Sequence, residues 1–198
     1  MNTHTRALAV ILPLTMGLVV TGCAGAPDTS GGMPGMHHGS ASSSASPADV
    51  TMADQMFVTM MIPHHEQAME MAEIVLAKDG LDPRVVAIAE RIRAAQGPEI
   101  ELMENWLDDW GVEHASGGMD HGDGMMSEAD MTALRDADGT AAGRLFLEQM
   151  IEHHQGAVEM AEAALDAAED SDVRALAQQI IEDQNAEIAE MQELAATL

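Results

Sequence analysis

The sequence predicts an all-α protein, a four-helix bundle made of two repeated antiparallel helical hairpins. Three observations predict this fold class. The chain contains two closely similar segments, its apolar residues recur with helical spacing, and turn-forming residues stand where long helical stretches would begin and end. No segment has the alternating pattern of a β-strand.

The strongest of these observations is the internal similarity. Residues 57–76 (FVTMMIPHHEQAMEMAEIVL) and 146–165 (FLEQMIEHHQGAVEMAEAAL) are identical at more than half of their positions. A weaker match follows between residues 92–103 (IRAAQGPEIELM) and 180–191 (IIEDQNAEIAEM). We therefore interpret the chain as a duplication in which each copy contains two helices. Short loops within each copy predict that its two helices are antiparallel neighbours.

The predicted elements follow from this repeat and from the residues that start and stop helices. Four long helices are expected at about 53–77, 83–110, 141–168 and 172–196, with a short extra turn near 127–136. Asp82 before Pro83 is typical of a helix start, and Gly111 is typical of a helix end. Ser171 is expected to cap the last helix. The glycine-rich stretch 116–126 connects the copies.

The N-terminal region predicts export and lipid anchoring. Residues 1–22 resemble a lipoprotein signal peptide, because Arg6 precedes an apolar run, residues 7–20, that is too short to span a bilayer. The small residues between this run and Cys23 mark a cleavage site. Cys23 is the only cysteine. We expect it to be the acylated mature N-terminus, which would hold the protein on the extracytoplasmic side of the cell membrane; a free thiol is the alternative.

The mature chain is expected to contain one compact domain behind a tether. Residues 23–48 are rich in Gly, Ser, Met and His and resemble a flexible tether. Residues 49–198 would form the duplicated hairpin domain, with copies at about 49–115 and 127–198. This length is sufficient for a single hydrophobic core.

The composition excludes some partners and raises the question of metals. The formal net charge of −26 disfavours nucleic acid and anionic lipid surfaces as partners. An acidic surface attracts cations, although solubility is its simpler explanation. The chain also has 18 methionines, which can fill gaps in a core or act as soft ligands for Cu(I).

Helical geometry places unusual polar residues on the core-facing stripes. Each copy has two histidines and two methionines on the apolar face of its first helix: His64, His65, Met61 and Met71, then His153, His154, Met150 and Met160. The second helix of each copy has a carboxylate and an amide on one such face: Glu99 and Gln96, then Glu187 and Gln184. A buried carboxylate requires a cation or a hydrogen-bond donor, and the inward histidines are the candidates.

Three interpretations of this layer are open. The leading one is a metal site in which His, Met and Glu side chains are ligands and the glutamines support them from behind; copper is the expected metal, with zinc and iron as alternatives. The second is a buried His–Glu network without metal, in a structural or protein-interaction module. The third is a two-metal oxidase or hydrolase. Four histidines at repeated positions favour metal binding, and no catalytic step is required.

Two further clusters contain soft ligands. The tether has Met33, Met36, His37 and His38, and the central connection has Met119, His121, Met125 and Met126. Segments of this composition can capture copper, but glycine-rich linkers also acquire such residues without a function. They are secondary candidates for soft-metal binding.

The repeated segments MMIPHHEQAMEMA and MIEHHQGAVEMA resemble the bacterial domain of unknown function 305 family, over about residues 49–198. The resemblance implies a ferritin-like four-helix bundle, and it links some members to periplasmic copper binding and tolerance. Di-iron carboxylate bundles carry Glu-x-x-His, whereas Met61 and Met150 occupy the positions three residues before His64 and His153. This softer set favours copper over iron. The expected function is an envelope lipoprotein that sequesters, tolerates or transfers copper, with an envelope protein as a candidate partner.

Overall fold

The computed structural model describes residues 50–113 and 124–198, which form five helices. The helices are α1 (Met52–Leu76), α2 (Pro83–Trp110), α3 (Glu128–Asp136), α4 (Gly139–Ala167) and α5 (Ser171–Ala195). The described residues include no strand, which confirms the all-α prediction. The stretch near 127–136, expected as a turn, is a nine-residue helix.

The four long helices form two hairpins that meet through their first helices. α1 packs most extensively on α2, α4 on α5, and the hairpins contact each other mainly along α1 and α4. The short helix α3 lies against both of these central helices. An ion pair between Arg91 and Glu190 joins α2 to α5 on the outside of the bundle. The site described below lies on the central pair, α1 and α4.

The helix ends agree with the expected residues except at α5. Asp82 accepts a hydrogen bond from the Arg84 amide and Pro83 is the first residue of α2, while Gly111 ends this helix with a left-handed φ of 67°. Ser171 was expected to cap α5, and this prediction is wrong. Asp170 caps the helix, because its carboxylate accepts hydrogen bonds from two amides of the first turn, and Ser171 becomes the first helical residue.

A buried carboxylate joins the start of α1 to the α4–α5 junction. Asp54 and Thr51 form a capping box at the N-terminus of α1. The other carboxylate oxygen of Asp54 accepts hydrogen bonds from the amides of Glu169 (3.1 Å) and Asp170 (3.0 Å). Burial alone would raise the pKa of Asp54, but the Thr51 and backbone donors outweigh it and hold that pKa below its usual value.

The core consists of two apolar clusters separated along the bundle. One cluster contains Met71 of α1 and Met150 of α4; the other contains Met61 of α1 and Ala157 of α4. In α1 and in α4, the histidine pair lies between the residues that contribute to one cluster and those that contribute to the other. The core therefore has a polar layer at its middle. No helix in the described ranges is long and apolar enough to cross a membrane.

Candidate metal centre

The four histidines of the repeat are all buried in the polar layer between the two clusters. His65 and His154 have no exposed surface, and His64 and His153 are 1% exposed. The rings of His64 and His153 meet across the α1–α4 contact, with centroids 3.7 Å apart and planes tilted by 40°. Each hairpin thus contributes one imidazole to a central pair.

The other two histidines each bind a glutamate of the same hairpin. His65 Nε2 lies 2.9 Å from Glu99 Oε2, and His154 Nε2 lies 2.8 Å from Glu187 Oε2. The distance between the ring centroids of the two adjacent histidines is also nearly the same in the two hairpins, at 6.5 Å for His64–His65 and 6.4 Å for His153–His154. The glutamate side chains are 13% and 21% exposed, so each carboxylate lies between its buried histidine and the solvent.

These glutamate contacts determine which ring nitrogen is available for other chemistry. An ionised carboxylate only accepts hydrogen bonds, so Nε2–H of His65 and of His154 is the donor. When such a ring holds a single proton, its Nδ1 atom carries a lone pair. Both Nδ1 atoms are buried and have no hydrogen-bond partner within the described ranges. A histidine held by a carboxylate on one nitrogen and open on the other is the usual form of a metal-ligating histidine.

The surroundings of His153 favour its neutral form. Burial lowers its pKa well below the ordinary 6.5, and His64, His154 and His65 lower it further. A backbone interaction with His64 partly opposes this shift. Neither ring nitrogen of His153 makes a hydrogen bond of ordinary length and angle with residues 50–113 and 124–198. His153 is therefore a neutral imidazole with an open lone pair, which is the form that binds metals.

Three buried glutamines accompany the histidines. Gln96 and Gln184, expected from the sequence, are 3% and 4% exposed. Gln149 was not predicted; it is 7% exposed, and its Nε2 donates to the Asp130 carbonyl at 3.0 Å. The Oε1 atoms of all three lack a partner within the described part of the chain. The spacing of Gln149, one turn before His153 on α4, could have indicated it.

The four methionines on the apolar faces of the first helices do not all line one region of the bundle. Met61, Met71 and Met150 are fully buried, but Met61 belongs to one apolar cluster and the other two belong to the opposite one. Met160 is only half-buried and packs on the outside of the Met61 cluster. The reason is that α1 and α4 meet at their histidines, so equivalent methionines fall on opposite sides of the layer.

Of the remaining residues predicted to bind metal or lipid, the structure describes only two. Met126 is buried in the core, and its backbone amide and carbonyl both bond to the Gln67 side chain (2.7 and 2.9 Å), so it is a fixed packing residue instead of part of a flexible segment. Met125 is half-buried. The others lie outside the described residues: Cys23, Met33, Met36, His37, His38, Met119 and His121.

The polar layer does not bring several anionic or imidazole side chains together at one point. Within the described ranges, no three His, Cys, Asp or Glu side chains converge as a group that could hold a metal ion. What the layer does provide is a set of open imidazole nitrogens, with buried thioethers in the apolar clusters on either side. This donor set fits a soft ion that accepts few ligands better than a hard ion that needs many oxygens.

Comparisons with known proteins identify relatives of the chain. Residues 54–195 match the sequence profile of a domain of unknown function, DUF305. No functionally curated protein matches significantly. A DUF305 fragment from Deinococcus radiodurans has a similar structure, with a TM-score of 0.70 and 33% identity over 75% of this chain and 99% of that one. A DUF305 protein from Streptomyces coelicolor, described as secreted, has a TM-score of 0.68 and 34% identity over 76% and 93%.

A further similar structure is that of CopM in a Cu(I)-bound form. Its TM-score is 0.62, with 34% identity over 73% of this chain and 96% of that one. CopM has also been crystallised with Cu(II) and with Ag.

Proposed function

We propose that this chain, which belongs to the DUF305 family, binds copper in the polar layer at the centre of its bundle. The observation that carries the proposal is the set of buried imidazole nitrogens, on His65, His153 and His154, that have no partner among the described residues. Leaving such atoms unsatisfied costs about 1–3 kcal/mol each, so the layer gains by binding a ligand. The copper-bound relative supports copper as that ligand.

The donors suit Cu(I) better than zinc or iron. Imidazole nitrogens and the thioethers of Met61 and Met150 are the soft and intermediate ligands that copper prefers. A few ligands would be drawn from the four histidines, with Met61 on one side of the layer and Met150 on the other as thioether candidates. Met71 and Met160 lie farther along the bundle. Imidazoles also suit Zn²⁺ and Fe, but thioethers favour Cu(I), and structural zinc sites generally include thiolates while non-haem iron sites include a carboxylate.

Glu99 and Glu187 would support the site through their histidines. Each holds one ring by its Nε2–H and so directs Nδ1 away from the carboxylate. Such carboxylate contacts fix the orientation of a metal-binding imidazole and raise its basicity. Gln96, Gln149 and Gln184 would supply amide oxygens nearby.

We further propose that the protein works outside the cytoplasm as a lipoprotein. Residues 1–22 would direct export, and lipid on Cys23 would anchor the chain to the membrane surface. The relative described as secreted supports export. In this location the bundle would sequester copper or pass it to an envelope protein, and its large excess of acidic residues would attract cations and repel nucleic acid.

The test is an anaerobic Cu(I) titration against a competing chelator. The chain from residue 24 onward would be compared with a variant carrying His64→Gln and His153→Gln, which we expect to bind Cu(I) at least tenfold more weakly. Because these residues are buried, a second variant keeps the packing: Met61→Leu with Met150→Leu removes two thioethers at similar volume. Its matched control is Met103→Leu with Met191→Leu, at two buried methionines of the outer helices. Equal affinity in wild type and both test variants would refute the inner copper site.

A structural role without metal is the second candidate function. The closed His65–Glu99 and His154–Glu187 pairs favour it, since two hydrogen-bonded pairs can hold two hairpins in register. On this hypothesis the histidine variant would lose stability to urea while its copper affinity stayed the same. The Cu(I) affinity and the urea stability of the histidine variant therefore distinguish a copper site from a structural role.

A further inference from the structure

A second cluster of thioethers lies on the surface, in a pocket between α1 and α4. The pocket has a volume of about 300 Å³ and is lined by Met56 and Met60 of α1 and by Met160 and Glu159 of α4. Phe57 and four alanines complete its wall. None of the four histidines lines it, so this pocket is separate from the polar layer.

Two methionines on this face of α1 are too exposed for a packing role. Met56 is 60% exposed, and Met52, one turn earlier on the same face of α1, is 83% exposed. These are two of the three large hydrophobic side chains that the described residues expose. Methionines that fill gaps are enclosed by their neighbours, whereas here Met60 and Met160 are half-buried and Met56 projects into solvent.

The spacing allows the three sulfurs to act together. Met56 and Met60 are one helical turn apart and therefore neighbours on the surface of α1. Met160 lies opposite, on the helix that packs against α1. Small alanine side chains line the rest of the pocket, which leaves flexible methionine side chains space to turn towards a common point.

We propose that this pocket is a separate binding site for a soft monovalent cation, Cu(I) or Ag(I). Thioethers are uncharged and soft, so they bind these ions and discriminate against hard divalent ions. Glu159 at the pocket contributes a negative charge to balance the cation. Binding exchanges the ligands that the ion brings for thioethers, without any change of oxidation state. The site goes beyond the inner copper site and does not depend on it.

The test uses Ag(I), which is inert to oxidation, and the chain from residue 24 onward with 13C-labelled methionine methyl groups. The methyl signals of Met56, Met60 and Met160 should shift together and saturate together, with one equivalent of Ag(I) bound at this pocket. A variant with all three changed to Leu should bind one equivalent less. The matched control changes Met69, Met103 and Met191 to Leu, none of which lines the pocket, and it should keep that equivalent.

The same titration in the His64→Gln/His153→Gln variant distinguishes the two sites. We expect the surface signals to shift there as in wild type. If these signals do not respond to Ag(I), or if the triple variant binds as many ions as wild type, the surface site is refuted, whatever the inner site does. If they respond while the histidine variant loses no copper, the surface site stands and the inner site fails.

Discussion

Mild acid should destabilise the metal-free bundle through His153. The folded-state pKa of this histidine lies well below 6.5, because the ring is buried and three other histidines surround it. At neutral pH the ring is uncharged in both the folded and the unfolded chain. As the pH falls below about 6.5, the unfolded chain takes up a proton at this position and the folded chain does not.

The size of this effect follows from the one proton involved. The free energy of unfolding should fall by about 1.4 kcal/mol for each pH unit, or about 2 kcal/mol between pH 6.5 and pH 5. It should fall until the pH reaches the folded-state pKa of His153, below which both states carry the proton. Asp54 affects stability in a more acidic pH range. Because its folded-state pKa is lowered, its contribution to stability is lost only as the pH falls below about 4.

The assay is urea unfolding followed by circular dichroism, with a chelator present, from about pH 7.5 to pH 5. The variant His153→Asn places a neutral amide at the same position. The stability of this variant at neutral pH will differ from that of wild type. Its free energy of unfolding should fall less steeply with falling pH, by the equivalent of about one proton. An identical slope in the two proteins would refute the account of His153 as a neutral, proton-excluding group.

Three further predictions concern the packing. Gly124→Ala should lower the free energy of unfolding in urea by about 3 kcal/mol, because φ is +79° and the new Cβ would lie 2.8 Å from a backbone carbonyl of α4. The control Gly111→Ala, at φ +67° in open space, should lower it by only about 1 kcal/mol. Equal losses in the two variants would show that the contact with α4 has no effect. Asp54→Asn should lower the free energy of unfolding by about 2 kcal/mol at neutral pH and reduce the further loss of stability below about pH 4. An unchanged urea midpoint would mean that the hydrogen bonds of Asp54 make no net contribution to stability. Gln67→Leu should cost about 1–2 kcal/mol and speed hydrogen exchange at the Met126 amide, and unchanged exchange would show that other contacts hold this segment.

The internal repeat, the helical periodicity and the turn-forming residues together predicted the fold, and the periodicity predicted the burial of the histidines. The same stripe that contains Met61 and Met71 contains His64 and His65, and the core covers this stripe, so local pattern and packing agree. The need of a buried carboxylate for a donor likewise indicated the histidines as partners, and the structure pairs Glu99 with His65.

What the sequence could not show depends on how distant elements meet. Met160 repeats the position of Met71, yet one is half-buried and the other fully buried, because the environment of each is set by the opposite helix. Asp54 in the sequence indicates only a local capping box with Thr51. Its bonds to Glu169 and Asp170 join residues more than a hundred positions away, and no local pattern encodes such a contact.

The junction at Asp54 also determines how the bundle responds to force. Residues 1–49 join the described chain directly before Thr51, and within one turn the chain is bonded to both the start of α1 and the α4–α5 junction. Tension applied through those residues would therefore reach both hairpins at once, instead of peeling α1 from its end. A chain held by its N-terminus would take up such a load at both hairpins within the first turn of α1.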